Sequence, residues 1–269
     1  MTAVAGEPPH RAPDREEPGR VVRWEQLASP DIAGLLAGRP TEVGLLPVGA
    51  TEQHGPHLPT GTDTVIAVAV AEEVSRRTGA PVLPPVAVGC SFGHGDVLPG
   101  TLSADPGRFV DLVRDTVEWS ARSGLRRVLA VNAHFGNDAA LSMAGDYLRL
   151  GRPDLRFGVT NWWACHPEVA VEAAADGPDF HANRAETALM LAVAPHLVRA
   201  DRLGDADDPD RTAGLVFRYT APSLSRNGVT GRPSEATAGL GRALFGRVVA
   251  AVTDQVRRGR EEVAPLGGR

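Results

Sequence analysis

Short apolar runs that alternate with helical segments constrain the fold of this chain more than any other feature. The run VGLLPV at Val43–Val48 is typical of a strand that is covered on both faces. Further strands are predicted at Val82–Val88, Arg127–Val131 and Leu155–Thr160. Helices are predicted at Thr64–Arg77, Asp105–Ser123, Asp138–Leu150, Arg184–Val198 and Ser234–Arg258.

This alternation predicts an α/β protein: a single-domain α/β/α sandwich whose central sheet is mostly parallel. Two signals for helix ends support the predicted helices: Gly79 suits a helix C-cap, and Asp105-Pro106 suits a helix start. Pro84 and Pro85 weaken the strand that contains them or place it at an edge. Residues 201–233 are loop-rich and carry no predicted element.

The first residues differ in composition from the rest of the chain. Residues 1–20 hold four prolines among charged side chains and almost nothing apolar. Such a segment cannot bury enough surface to offset the entropy lost on ordering. We therefore predict a disordered tail at residues 1–20 and one domain at residues 21–265.

Charge and hydropathy exclude several classes of protein. The net charge of -5 and pI near 5.9 leave no basic surplus for phosphates, which argues against a nucleic-acid partner. Neither an apolar run of about 18 residues nor an apolar signal core is present, so we expect no membrane span and a cytoplasmic location. Cys90 and Cys165 suggest neither a disulfide framework nor a zinc-thiolate site.

The segment TEQHGPHLPTGTD, residues 51–63, carries the densest chemistry. It follows a predicted strand and precedes a helix, which places it at the carboxyl edge of the sheet. Glu52, His54, His57 and Asp63 can converge there, and mixed carboxylate and imidazole ligands suit zinc, manganese or iron. A polar turn with solvated side chains is the weaker alternative, given four candidate ligands in thirteen residues.

Two later segments bring further candidates to this edge. His134 lies in VNAHFGN, directly after a predicted strand, and so arrives opposite the first loop. In FHANRAET, His181 and Glu186 are five residues apart and need not share a helical face. Glu186 is either a ligand or an acid favoured by the dipole at a helix N-terminus.

In this order, TEQHGPHLPTGTD, GCSFGH with PGTLS, NAHFGN, HANRAET and NGVTGRPSEAT resemble the successive motifs of the creatininase family. The resemblance runs from about residue 43 to residue 244. It implies an α/β/α sandwich with two divalent metal ions (zinc, manganese or iron) and hydrolysis of a carbon–nitrogen bond. It also implies a homo-oligomer, with a hexamer suspected.

The resemblance also implies roles for individual residues. Glu52 and His134 would bind one metal, His54 would bind the other, and Asp63 would bridge both. His181 matches the catalytic histidine that moves protons. Ser91 and Trp163 match substrate-pocket positions more loosely, and Trp162 and Trp163 either wall a pocket or belong to the core. We expect His57 and His94 to orient the ligands.

The chain departs from the family pattern at several positions. Creatininase proper carries a metal-binding glutamate where this chain has Gly136, and we expect either Glu186 or the substrate to supply the missing ligand, favouring Glu186. Ala133 and Asn183 stand where glycine is common, and Phe135 is a bulky neighbour of His134. These changes bear on the substrate more than on the chemistry.

The residues predict a metal-dependent hydrolase, and the resemblance implies an amidohydrolase of a small cyclic amide, a formamide or a short peptide, in a biosynthetic pathway. The family includes creatinine amidohydrolases, a formamide hydrolase of flavin biosynthesis and the peptidase that matures the mycofactocin precursor. Loss of the glutamate at position 136 argues against creatinine itself. A non-catalytic metal- or ligand-binding relative is the alternative from another class, and retention of His181 argues against it.

Overall fold

The central feature of the computed structural model, which describes residues 19–95 and 98–266, is a five-stranded parallel sheet. Its order is β1-β3-β2-β4-β5. The strands are β1 (Val22–Arg23), β2 (Val43–Val48), β3 (Pro81–Val82), β4 (Arg127–Asn132) and β5 (Arg156–Asn161). The predicted tail at residues 1–20 lies almost wholly outside the described residues.

Helices cover both faces of the sheet. They are α1 (Ser29–Leu36), α2 (Thr62–Thr78), α3 (Pro106–Arg122), α4 (Asp138–Gly151), α5 (Pro167–Ala173), α6 (Arg184–Val193), α7 (Ala221–Leu224) and α8 (Ala238–Glu261). Within the described part of the chain, no helix combines the length and apolar character needed to cross a membrane. The predicted α/β/α sandwich is confirmed.

The central strand β2 shows how one run of residues builds two cores. Val43 and Leu45 pack with α2, α5, α6 and α8 on one face. Leu46 and Val48 pack with α1, α3 and α4 on the other face. Successive side chains of a strand point to opposite faces, so a continuous apolar run is what a doubly covered strand requires.

Local end signals work as predicted. The carboxylate of Asp105 accepts hydrogen bonds from the backbone N–H groups of Gly107 and Arg108, which caps α3. Gly79 ends α2 in the left-handed region at φ 68°, a conformation that costs glycine little.

Some predicted boundaries are wrong. The strand expected at Val82–Val88 shrinks to β3 plus an isolated bridge between Val86 and Val48, because Pro84 and Pro85 have no N–H to donate. The helix predicted to reach residue 198 ends at Val193, and Pro195 starts a short 3-10 turn. The helices α1 and α5 were not predicted.

Candidate metal centre

The candidate ligands come from loops and helix starts at the carboxyl edge of the sheet. Glu52 and His54 lie in the loop after β2, and Asp63 lies in the first turn of α2. His134 follows β4, and Glu186 lies in the first turn of α6. All five side chains are buried, with exposures of 1% for the first three and 5% for the last two. Five residues predicted from the sequence therefore meet in one place.

Two sets of ligand atoms share the carboxylate of Asp63. Glu52, Asp63 and His134 offer atoms that lie within 4.8 Å of one another, and so do His54, Asp63 and Glu186. Nδ1 of His134 lies 3.2 Å from Oε1 of Glu52 and 3.3 Å from Oδ2 of Asp63. Nε2 of His54 lies 3.2 Å from Oδ1 of Asp63. Each oxygen of Asp63 thus faces a different histidine.

His181 stands beside both sets. It precedes α6 and pairs with Thr230 in an isolated antiparallel bridge. Its Nδ1 lies 3.5 Å from Oε1 of Glu52, and its ring centroid lies 4.4 Å from that of His54. With Glu52 and His54 it forms a third set of atoms within 4.8 Å of one another. Geometry therefore allows His181 either to coordinate or to move protons.

Backbone carbonyls hold the second ring nitrogen of these histidines. Nδ1 of His54 lies 3.2 Å from the carbonyl oxygen of Glu52, and Nε2 of His134 lies 3.1 Å from that of Cys90. Nε2 of His181 lies 2.7 Å from the carbonyl oxygen of Gln53. In the tautomer that donates to the carbonyl, the other ring nitrogen keeps its lone pair for the centre. Such outer hydrogen bonds orient metal-binding imidazoles.

Several buried polar atoms at the centre make no hydrogen bond within the described part of the chain, although histidines and carboxylates there stand at ion-pair distance. They are both carboxylate oxygens of Glu52, Nε2 of His54 and Oδ2 of Asp63. Leaving such atoms unsatisfied costs about 1–3 kcal/mol each. Because these atoms converge and all can donate an electron pair, the residues fit a divalent cation.

Electrostatics in the metal-free protein point the same way. Burial acts to raise the pKa of Glu52, but the charge of His134 holds it well below its ordinary value. Burial acts to lower the pKa of His54, but the carboxylate of Asp63 raises it to about 9. Burial raises the pKa of Glu186 to about 7. The proton on His54 therefore lies between its imidazole and the carboxylate of Asp63, where a cation would bind.

A tight turn connects His181 to Glu186. Ala182 adopts φ 50°, in the left-handed region, at a cost of about 1–2 kcal/mol for a residue with a Cβ. Its N–H donates a 2.6 Å hydrogen bond to Oε2 of Glu186. The side chain of Asn183 caps α6 by accepting from the N–H of Glu186. The strained turn brings both candidate side chains to the centre.

The two histidines predicted to orient ligands lie next to the centre. Nε2 of His94 lies 3.1 Å from Oε1 of Glu52, while its Nδ1 lies 3.0 Å from the side-chain nitrogen Nε2 of Gln53. His57 is fully buried, with Nε2 2.8 Å from Oγ1 of Thr187. Burial lowers the pKa of His57 to about 4, which keeps it neutral.

A cavity of about 450 Å³ opens onto the centre. Trp163, which follows β5, lines it and stacks on Phe135 with ring centroids 5.1 Å apart. Phe180 meets both rings edge-on, at 5.8 and 6.5 Å. We call these three residues the aromatic wall. Trp162, by contrast, is 1% exposed and belongs to the core.

Ser91, predicted to bind substrate, lies elsewhere. It is 1% exposed, and its Oγ lies 3.5 Å from Nε2 of His134, on the side of that ring away from the ligand atoms. A role in substrate contact stays a prediction. Two residues at the centre were not predicted from the sequence. Gln53 lies between two candidate ligands, which was the one signal for it. Arg218 lines the cavity from the loop before α7, and no signal in the sequence pointed to it.

Gly136 is closely enclosed. A Cβ added there would lie 2.3 Å from the carbonyl oxygen of Cys90 and 2.5 Å from Nε2 of His134. No side chain fits without moving the backbone or the histidine ring. This backbone therefore has no room for the glutamate of creatininase proper.

The fold and the centre together define a parallel α/β protein of the kind typical of metallohydrolases, with carboxylate and imidazole ligands at the carboxyl edge of its sheet. The family model for creatininase, described as creatinine amidohydrolase, matches residues 25–256. The chain belongs to the creatininase family, and it is a hydrolase that acts on carbon–nitrogen bonds. The family predicted from the motifs is confirmed.

Two relatives and one solved structure illustrate the match. The mycofactocin precursor peptide peptidase of Mycolicibacterium smegmatis is 35% identical over 227 residues, which span 80% of this chain and 84% of the relative. Creatinine amidohydrolase of Pseudomonas putida is 34% identical over 176 residues, which span 60% and 68%. A mutant creatininase of Zn-Zn type has a TM-score of 0.77 at 28% identity, covering 90% of this chain and all of that chain.

Proposed function

We propose that this protein is a dinuclear metal-dependent amidohydrolase that cleaves an amide bond in a short peptide-derived substrate. The observation that carries the proposal is the pair of ligand sets that share Asp63. One ion would be held by Glu52, Asp63 and His134, and the other by His54, Asp63 and Glu186. The solved creatininase of Zn-Zn type makes zinc a good candidate, with manganese and iron as alternatives.

Two divalent ions at these ligands would supply an activated water and polarise the amide carbonyl. The chain's own residues would supply the remaining steps. The imidazole of His181, beside Glu52 and His54 at the cavity, would carry a proton to the leaving nitrogen. Its Nε2–H···O=C bond to Gln53 would keep Nδ1 available for that proton.

A peptide substrate is favoured over creatinine by two observations. The match to the mycofactocin precursor peptide peptidase extends over more of the chain than the match to creatinine amidohydrolase, 80% against 60%. The space at Gly136 is also closed to the glutamate of creatininase proper. A small cyclic amide or a formamide remains the second candidate.

The test combines metal analysis with a substrate screen. Protein prepared without chelator would be analysed for metal per chain and assayed on short peptides, formamides and creatinine. We expect about two divalent ions per chain and hydrolysis of peptides. Fully active protein without stoichiometric metal would overturn the mechanism, and hydrolysis of creatinine or a formamide in preference to peptides would overturn the substrate.

Assembly and location are two further parts of the proposal. We propose a homo-oligomer, with a hexamer as the first candidate, and light scattering that gives a monomer mass at all concentrations would contradict it. We also propose a cytoplasmic location, with which the free thiols of Cys90 and Cys165 agree. Fractionation of the source cells would test it.

A further inference from the structure

Asp176 is a buried carboxylate in the turn after α5, and it belongs to neither ligand set of the candidate metal centre. Its side chain is 1% exposed. One of its oxygens, Oδ2, accepts two hydrogen bonds of 2.9 Å, from the backbone N–H groups of Arg184 and Arg232. Burying a charge is costly unless it is paired and hydrogen-bonded. These two backbone partners therefore indicate what the carboxylate does.

The two partners belong to segments that meet at the centre. Arg184 is the first residue of α6, two positions before the candidate ligand Glu186. Arg232 follows the segment in which Thr230 pairs with His181, through backbone hydrogen bonds of 3.2 and 2.9 Å. One carboxylate oxygen therefore joins the start of α6 to the segment that holds the candidate catalytic histidine.

Charge strengthens this connection. Oδ1 of Asp176 makes no hydrogen bond within residues 19–95 and 98–266, but it lies 3.8 Å from Nε of Arg184 and 3.9 Å from Nη2 of Arg232. The dipole of α6 also favours a carboxylate at the helix N-terminus. Asp176 is thus attracted to both the backbone and the side chain of each arginine.

The connection spans the strained residue of the turn. Ala182, at φ 50°, lies between His181 and Arg184. A residue with a Cβ stays in the left-handed region only where its surroundings hold it there. The bridge to Thr230 holds the chain on one side of Ala182, and Asp176 holds it on the other. The strained conformation is therefore fixed from both sides.

The backbone segments at this junction approach closely. A Cβ added to Gly231 would lie 2.6 Å from Cβ of Asn183 and 2.7 Å from Oδ2 of Asp176. The side-chain amide of Asn183 donates a 2.9 Å hydrogen bond to the carbonyl oxygen of Ala173, the last residue of α5. The end of α5, the start of α6 and the segment of Gly231 therefore pack as one unit around the carboxylate.

We propose that Asp176 is a positioning residue, which holds the turn at residues 181–186 so that Glu186 and His181 reach the metal centre. This proposal rests on the proposed function, which assigns Glu186 to one ion and proton transfer to His181. Loss of Asp176 should weaken the ion that Glu186 would bind. The ligand set that contains His134 includes no residue of the turn, so its ion should be spared.

The experiment measures zinc affinity, by competition with a chelator, and turnover of the best substrate. In Asp176→Ala, one of two ions should bind about 10- to 100-fold less tightly. The kcat should fall by a similar factor with KM little changed, because the aromatic wall is untouched. Asp176→Asn keeps an acceptor oxygen without the charge and should lose less, and it carries the test if Asp176→Ala does not fold. Glu172→Gln, which removes another carboxylate partner of Arg184, should behave like the parent.

A second substitution tests the role of strain. Glycine adopts φ 50° without the cost that a Cβ adds, so Ala182→Gly should restore about 10-fold of the affinity lost in Asp176→Ala. The same change in the parent measures its own effect, which the restoration should exceed. An equal loss of both ions in Asp176→Ala, or a double variant no better than Asp176→Ala, would show that Asp176 stabilises only the fold and would overturn the proposal.

Amide hydrogen exchange separates this proposal from the proposed function, because it needs no turnover and can be measured with and without zinc. The amides of residues 181–187 should exchange about 10-fold faster in Asp176→Ala than in the parent, while those of α3, on the other face of the sheet, should not change. If the parent binds no zinc but the turn loosens in this way, the proposed function fails and the role of Asp176 stands. Unchanged exchange of the turn would overturn that role.

Discussion

Nε2 of His54 lies 3.2 Å from Oδ1 of Asp63, and both side chains are buried to 1% exposure. The second oxygen of Asp63 faces His134 at 3.3 Å. One carboxylate therefore connects the two ligand sets of the centre.

Replacing Asp63 should remove more metal than replacing any other single ligand. Asp63→Asn should lose both ions and lower kcat/KM by well over about 100-fold, since even residues outside the ligand shell are worth about 10- to 100-fold in affinity or activity. Glu52→Gln serves as the control, because it belongs to the His134 set and should spare the other ion. Elemental analysis with near-normal metal content in Asp63→Asn would contradict the bridging role.

Variants at Glu186 and His181 should affect metal binding and turnover separately. Glu186→Gln keeps the size of the side chain but removes its anionic oxygen, so it should lose one ion and remain folded. His181→Ala should retain both ions and lose turnover, because its proposed role is proton transfer. Metal titration and hydrolysis assays on both variants decide the matter. If Glu186→Gln binds two ions and His181→Ala binds one, the two roles must be exchanged.

Position 136 should tolerate no side chain. In Gly136→Ala the new Cβ must displace the carbonyl oxygen of Cys90 or the ring of His134. Displacing a ligand by about 1 Å can cost about 100-fold in rate, and we expect a loss of that order in kcat/KM together with lower metal content. The matched control is Gly93→Ala, which also lines the cavity but has no atom within 4 Å of the new Cβ. Equal activity of the two variants would show that the enclosure at Gly136 is unimportant.

Metal binding should release protons. In the metal-free protein, Asp63 raises the pKa of His54 to about 9 against the effect of burial. For His134, burial acts to lower the pKa, but Glu52 and Asp63 raise it well above its ordinary value. Both imidazoles are therefore protonated at neutral pH, and coordination must displace those protons. Calorimetry in buffers of different ionisation enthalpy should give about two protons when both ions are bound, about one for each histidine.

The proton count should also depend on pH in a defined direction. As pH rises through about 9, His54 loses its proton before any metal arrives, so fewer protons are released on binding. A count that stays near zero at neutral pH would show that the imidazoles are already neutral.

His57 should make the fold sensitive to acid. Burial lowers its pKa to about 4 in the folded protein, against about 6.5 in the unfolded chain. Between these values the unfolded chain binds the proton that folded His57 refuses, so the free energy of unfolding falls as pH drops from about 6.5 to about 4. Over this pH range His57 changes the free energy of unfolding by about 3 kcal/mol. Urea unfolding of metal-free protein should show a shallower pH dependence in His57→Gln than in the parent, and parallel curves would contradict it.

Local patterns in the sequence were enough for the main elements of the fold. The apolar run at Val43–Val48 and the cap at Asp105 specified their strand and helix because side-chain periodicity and capping act within a few residues. The motif at residues 51–63 likewise contained three of the five ligand candidates in one loop. Short elements with weak patterns, α1 and α5, escaped prediction because their formation depends on packing.

Only the tertiary structure decided how distant residues meet. Glu186 reaches Asp63 because α6 packs where its first turn faces the start of α2, and no local pattern encodes that contact. The enclosure of Gly136 by Cys90, 46 positions earlier, and the position of Arg218 over the cavity likewise depend on residues that are distant in sequence. The sequence by itself determined which side chains can bind a metal. Packing decided which of them converge, because ligand geometry is set by contacts between elements and not within them.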